Sequence, residues 1–90
     1  MPKLAVYGNV IFFIVAYDLS ERWHVHVANN KSERKRSAKI WLDTLEVFEQ
    51  GNLSQKEINL AIDVLKDNKE KFLIALSTFA AGGKLKTLRL

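Results

Sequence analysis

The stretch Arg22-Trp23-His24-Val25-His26-Val27-Ala28 alternates polar and apolar side chains and holds both histidines of the chain. Such alternation is typical of a half-buried β-strand, in which successive side chains point to opposite faces of a sheet. At a rise of roughly 3.3 Å per residue, the two histidines lie on one face about 7 Å apart at the backbone, with their imidazoles side by side. The two faces of the strand are Trp23, Val25 and Val27 on one side, and Arg22, His24 and His26 on the other.

An uninterrupted run of β-branched and aromatic residues, 10–17, precedes the histidine strand. A run of this kind is typical of a central strand that is covered on both faces. Only residues 18–21 connect it to the histidine strand, and a parallel pair would need a longer crossover. We therefore predict that the two strands form an antiparallel hairpin.

Side chains again alternate between two faces after the histidine strand, in residues 38–42 and in residues 45–49. The first of these segments predicts a third strand, and the second is either a fourth strand or a continuation of the third. Gln50-Gly51-Asn52, a turn composition, follows. The first fifty residues are therefore predicted to form a small antiparallel sheet of three or four strands.

The second half of the chain changes to a helical period. Ser54-x-x-Glu57 is a capping box, flanked by Leu53 and Ile58 at the positions of a hydrophobic staple. The polar segment 67–70 interrupts the apolar stripe, so we predict either one long amphipathic helix or two in succession, ended by a left-handed cap at Gly82-Gly83. The stripe consists of Ile58, Ala61, Ile62, Leu65, Phe72, Leu76, Phe79 and Ala80.

These patterns predict a single α+β domain over residues 1–90, because helices with one apolar face pack on one face of a sheet. Residues 1–50 form the sheet, residues 54–81 the helical part and residues 84–90 a basic C-terminal tail. The helices cover the Val25 and Val27 face. His24 and His26 then lie on the opposite face, where they are exposed or covered by the tail or by a second subunit of a homodimer.

Composition restricts the class of protein. The chain has 90 residues, of which 48% are hydrophobic and 27% charged, as in a soluble globular protein. The absence of cysteine excludes disulfides and thiolate metal sites and favours a reducing compartment. The longest apolar run is far shorter than the roughly 20 residues that a membrane span requires. We therefore predict a cytoplasmic protein without a membrane partner.

The net charge of +4 is unevenly distributed along the chain. The segment 29–36 carries four cations and one acidic residue, and residues 84–90 carry three cations, so that the remainder has a net charge of −2. Basic segments on a near-neutral body are typical of proteins that bind nucleic acid or an acidic partner, although solvated loops have the same composition. The candidate binding residues are Arg22, Lys31, Arg34, Lys35, Arg36, Lys39, Lys84, Lys86 and Arg89.

The histidine pair allows three chemical interpretations. A metal site would need a third ligand such as Asp18, Glu21 or Asp43, and we predict no metal and no cofactor. A metal-independent ribonuclease would use His24 and His26 as catalytic base and acid, with a nearby cation stabilising the phosphorane-like charge. The third interpretation is structural, with hydrogen-bonded histidines on a polar strand face. No nucleophile elbow, phosphate-binding loop or dinucleotide fingerprint is present.

The order of these motifs resembles that of the small bacterial family called domain of unknown function 4160. Its members begin with Met-Pro, carry a central His-x-His strand and continue into an amphipathic helix and a basic tail. The matching stretches here are Met1-Pro2-Lys3, Tyr7-Gly8, His24-Val25-His26-Val27, Ala38-Lys39-Ile40-Trp41-Leu42, residues 51–57 and Gly83-Lys84-Leu85-Lys86. The resemblance implies a two-gene, toxin–antitoxin-like system with a cognate small protein from the neighbouring gene.

Together, charge and resemblance predict a small bacterial binding module that engages nucleic acid or an acidic partner protein through its basic loop and tail. A metal-independent ribonuclease and a pure protein-interaction module are the alternatives. The first would cleave RNA in a histidine-dependent manner, and the second would form a stable complex with another protein without binding nucleic acid.

Overall fold

A computed structural model of the chain describes residues 3–14, 22–29 and 37–90. Within these residues, six strands form one sheet and two consecutive helices pack on one of its faces. The elements are β1 (Lys3–Tyr7), β2 (Val10–Phe13), β3 (His24–Asn29), β4 (Ala38–Trp41), β5 (Val47–Glu49), α1 (Gln55–Asp67), α2 (Lys69–Ala80) and β6 (Leu88–Arg89). The predicted α+β class is thus confirmed.

The strand order is β5-β4-β3-β2-β1-β6. All neighbours pair antiparallel except β1 and β6, which are parallel. The predicted hairpin of β2 and β3 is confirmed, with Phe13 opposite His26. The predicted strand 10–17 is shorter than expected, because β2 ends at Phe13, and its residues 15–17 lie outside the described ranges.

The prediction of three or four strands was wrong, since the sheet gains a strand at each end of the described chain. Gly8-Asn9 turns β1 back onto β2, with Gly8 in the left-handed region at φ 56°. Residues 84–90 are not a simple tail, because Leu88 pairs with Ala5 and the Leu90 amide donates to the Val6 carbonyl at 2.9 Å. This pairing satisfies backbone groups on the outer edge of β1, which would otherwise be open.

The capping box at the start of α1 is confirmed. The Glu57 amide donates to the Ser54 hydroxyl at 3.2 Å, and the Ser54 amide donates to the Glu57 carboxylate at 2.9 Å. The second carboxylate oxygen of Glu57 accepts a hydrogen bond from the Asn29 side chain at 2.8 Å. Glu57 therefore joins the start of α1 to the end of β3.

These hydrogen bonds give stability a measurable pH dependence. Hydrogen bonds from the Ser54 backbone and from Asn29 lower the pKa of Glu57. Its contribution to the free energy of unfolding is therefore present above the unfolded-state pKa of about 4.3 and is lost as the pH falls through the lower folded-state pKa. In urea unfolding experiments, the free energy of unfolding should fall less between neutral and acidic pH in Glu57→Gln than in the wild-type protein. Parallel curves would contradict this assignment.

Two helices replace the single long one that the sequence also allowed, and the break falls at Asn68. The Asn68 side chain donates to the Val64 carbonyl at 2.9 Å instead of capping α2. The predicted left-handed cap at the end of α2 is confirmed: Gly82 has φ 88°, and the Gly83 amide donates to the Thr78 carbonyl at 2.9 Å.

The core lies between the helices and one face of the sheet. Val25 and Val27 are fully buried there, as predicted for their side of the strand, and Trp23 packs at the edge of the same cluster. The ring of Phe72 in α2 contacts that of Phe12 in β2 edge to face, with 5.3 Å between centroids. Ala80, at the end of the predicted stripe, is exposed. The other predicted stripe residues are buried or partly buried in this cluster: Ile58, Ala61, Ile62, Leu65, Phe72, Leu76 and Phe79.

Candidate functional site

The candidate site lies on the sheet face opposite the helices. His24 is paired with Trp41 of β4, and His26 with Lys39. Because directly opposite residues of adjacent strands share a face, these side chains lie together on the histidine side. Of the alternatives that the sequence left open for the histidines, exposure to solvent is wrong, because each is only 7% exposed. Nor does the tail cover them, since β6 lies three strands away, about 14 Å at roughly 4.8 Å per strand.

A continuous row of rings runs across this face, and we call it the aromatic row: Phe13, His26, His24, Trp41 and Phe48. Phe13 and His26 are stacked, with 5.1 Å between ring centroids, and His26 lies 5.0 Å from His24. The His24 ring meets Trp41 and Phe48 edge to face, at 5.5 and 5.3 Å. The row ends with Trp41 and Phe48 stacked at 4.0 Å. His24 thus contacts both rings of this terminal pair, and His26 joins His24 to Phe13.

At the Trp41 and Phe48 end of the aromatic row, a guanidinium group lies against a ring. The Arg22 guanidinium carbon lies 4.3 Å from the centroid of the Trp41 ring, which is cation–π geometry. Its Nη2 donates to Asp43 at 2.8 Å and its Nε to the second carboxylate oxygen at 3.1 Å. This hydrogen-bonded pair raises the pKa of Arg22 and lowers the pKa of Asp43. Both groups are exposed, so the pair is accessible from solvent.

A turn with one left-handed residue connects β4 to β5 and brings together the side chains at the end of the aromatic row. Between β4 and β5 the Leu45 backbone adopts φ 62°, in the left-handed region that non-glycine residues rarely occupy. The Leu45 amide donates to the Trp41 carbonyl at 2.8 Å, and the Trp41 amide donates to the Glu46 carbonyl at 2.9 Å. This turn places Asp43 beside Arg22 and folds Phe48 back onto Trp41.

The histidine side chains are oriented by their Nδ1 atoms. His24 Nδ1 lies 3.4 Å from the Arg22 carbonyl oxygen, and His26 Nδ1 lies 3.4 Å from the Ser37 hydroxyl. Because a carbonyl can only accept, the first contact requires the proton on Nδ1 of His24. A general acid and base must contact the reacting phosphodiester, whereas both imidazoles here are buried among rings. Their geometry fits a positioning role better than proton transfer.

A metal site at the two histidines would require at least a third ligand. No group of three potential histidine, cysteine, aspartate or glutamate ligands occurs within residues 3–14, 22–29 and 37–90. Of the third ligands considered from the sequence, Asp43 is bound to Arg22. Asp18 and Glu21 lie outside the described residues.

The five predicted binding cations that the structure describes do not form one surface. Arg22 and Lys39 lie on the histidine side, where Lys39 Nζ is 3.5 Å from a Glu49 carboxylate oxygen. Arg89 belongs to β6 at the far edge of the sheet, and the exposed Lys84 and Lys86 lie beside α2. The remaining four, Lys31, Arg34, Lys35 and Arg36, lie outside the described part of the chain.

Sequence reasoning missed Trp41, Phe48 and Phe13 as members of the site. For Trp41 a signal existed, because alternation places this large aromatic residue on the otherwise polar side of β4. Phe13 gave none, since it lies in a run of apolar residues without alternation. Phe48 joins the row only through the pairing of β4 with β5 and the turn at Leu45.

The comparison with protein families matches residues 9–75 of the chain to the model described as "Domain of unknown function (DUF4160)". The chain belongs to this family. The matched range of the DUF4160 domain contains β2 to β5, α1 and half of α2, and hence the whole aromatic row. No curated protein and no solved structure matches the chain.

A helix that crosses a bilayer needs about 20 predominantly apolar residues. Neither helix in the described part of this DUF4160 domain has the length and apolar character required to cross a bilayer.

Proposed function

We propose that this DUF4160 domain is a binding module for single-stranded nucleic acid, with the exposed end of the aromatic row as its stacking platform. The observation that carries the proposal is the layered arrangement of Arg22, Trp41 and the exposed Phe48 on the sheet face opposite the helices. The family resemblance supports placing this module in a bacterial two-gene, toxin–antitoxin-like system of the cytoplasm.

Stacking is the first element of the proposal. Phe48 is 43% exposed, although its ring is held in place by Trp41 and by the edge of His24. A fixed, half-exposed ring can stack on a nucleobase without losing much side-chain entropy on binding. Single strands are the preferred ligand, because their bases are unstacked and can reach such a platform.

Phosphate binding is the second element. Solvent-exposed ion pairs contribute little to stability, so Arg22 can exchange Asp43 for a phosphate at little cost. The same holds for Lys39, whose partner Glu49 is exposed. The segment 29–36, with a net charge of +3, directly follows β3 in the sequence and provides further cations. We therefore propose that nucleic acid contacts the sheet face and the segment 29–36, and not the lysines beside α2.

The salt dependence of binding tests the phosphate contacts. For single strands the slope of log affinity against log salt is about −0.7 per neutralised phosphate. Replacing Arg34, Lys35 and Arg36 together by alanine should therefore make this slope shallower by about 2. Fluorescence anisotropy with labelled single-stranded RNA and DNA of mixed sequence measures it. The Lys84→Ala/Lys86→Ala variant is the matched control and should retain the wild-type slope.

Four outcomes would contradict the proposal. Undetectable binding to both nucleic acids, or binding that does not respond to salt, would exclude phosphate recognition. An equal loss of affinity in the Lys84→Ala/Lys86→Ala control would indicate a nonspecific effect of net charge. RNA cleavage that is abolished in His24→Ala and His26→Ala would replace the binding module by the ribonuclease alternative.

A further inference from the structure

The outer face of α2 is unusually apolar. Leu73 and Ile74 point away from the core, and Ile74 is 60% exposed, more than any other large hydrophobic side chain that the structure describes. The opposite side of α2 is already occupied, since Phe72 and Leu76 are buried against the sheet. A helix that is apolar on both sides is expected to have a second partner.

A groove lies along this outer face, between α2 and the segment that leads to β6. Its apolar surface comes mainly from Ile74 and Ala75 on the helix and from Leu85 and Leu88 on the other side. The cavity volume is about 260 Å³, which is below the roughly 300–1,000 Å³ of typical small-molecule sites. Its size therefore suits a few inserted side chains better than an enclosed ligand.

The rim of the groove is positively charged. Lys71, Lys84 and Lys86 surround the apolar surface, and none of the three pairs with a carboxylate among the described residues. A second copy of this chain would bring the same three lysines against each other in a two-fold interface, which is electrostatically unfavourable. Charge complementarity therefore favours an acidic partner.

We infer that this groove binds an acidic amphipathic helix of a partner protein. Aliphatic side chains of that helix insert between Ile74 and Leu85, and its carboxylates pair with the three lysines. The groove lies on the helix side of the sheet, away from the aromatic row. The inference is thus independent of nucleic-acid binding, and the two surfaces can be occupied together.

The test uses two synthetic peptides of about 15 residues, the length at which isolated helices begin to be stable. Both carry leucine at helical spacing on one face, and the other face carries glutamate in one peptide and lysine in the second. Fluorescence anisotropy should show binding of the acidic peptide and at least about tenfold weaker binding of the basic one. Amide chemical-shift changes should be confined to residues 71–78 and 84–88.

Variants of the full chain locate the contact. Ile74→Glu should lower the affinity for the acidic peptide at least about tenfold, because it places a negative charge in the groove. The control is Leu60→Glu on the exposed side of α1, which should bind the peptide like the wild-type protein. Circular dichroism and thermal unfolding confirm that both variants fold, and oligonucleotide affinity should be unchanged in both.

The inference is overturned if the acidic peptide does not bind, if both peptides bind equally, or if Ile74→Glu binds the peptide like the wild-type protein. A wild-type dimer that becomes a monomer on Ile74→Glu substitution, measured by sedimentation, would also overturn it in favour of self-association. None of these results depends on whether the aromatic row binds nucleic acid, so the two proposals fail separately.

Discussion

Replacing Phe72 by alanine is expected to lower the free energy of unfolding by about 3–5 kcal/mol. Phe72, in the first turn of α2, is fully buried, and its ring contacts Phe12 of β2 edge to face at 5.3 Å. Truncation removes this contact and leaves a cavity between the helices and the sheet. Because small domains are stabilised by only about 5–15 kcal/mol in total, the variant loses a large share of its stability.

Urea unfolding followed by circular dichroism measures this loss. The matched control is Ile74→Ala, two residues further along the same helix, because Ile74 is 60% exposed and the change also increases helix propensity. If Phe72→Ala does not fold, Phe72→Leu provides a smaller and still measurable destabilisation. Equal stability of the Phe72→Ala and Ile74→Ala variants would show that α2 does not pack on the sheet through Phe72.

Replacing Phe48 by alanine is expected to weaken the binding of single-stranded nucleic acid by about 1–3 kcal/mol, the range measured for loss of one base–aromatic contact. The reason is that Phe48 is the exposed end of the aromatic row, stacked on Trp41 at 4.0 Å. The slope of affinity against salt should remain that of the wild-type protein, since no cation is removed. An unchanged salt slope would show that the affinity is lost through stacking and not through phosphate contacts.

The control for Phe48→Ala is Tyr7→Ala. Tyr7 is 41% exposed, close to the 43% of Phe48, but it belongs to β1 and is outside the aromatic row. Its replacement should leave affinity unchanged. Trp41→Ala should weaken binding at least as much as Phe48→Ala, because it also removes the surface on which Arg22 lies. Equal affinities of the Tyr7→Ala and Phe48→Ala variants would exclude the row as the stacking platform.

The buried histidines change the interpretation of the His-x-His motif. Polar residues on a strand face are usually exposed, but here each imidazole is enclosed by rings and fixed by a hydrogen bond at Nδ1. The edge of His24 meets both Trp41 and Phe48. In the binding module that we propose, the motif therefore orients the stacking surface and does not itself contact the ligand.

The sequence alone determined the parts of this protein that depend on near neighbours in the chain. The capping box at Ser54, the left-handed cap at Gly82 and the buried side of β3 were all predicted. Each follows from backbone geometry within a few residues, where the period of apolar side chains and the hydrogen bonds of a helix end leave few alternatives.

Only the tertiary structure decided which distant segments meet. The pairing of Leu88 with Ala5 joins the two ends of the described chain, and no local period in a two-residue strand specifies such a partner. The stacking of Phe48 on Trp41 likewise depends on the β4–β5 turn. Burial of the histidines follows from this long-range packing, because strand order and side-chain contacts are set by the whole core at once.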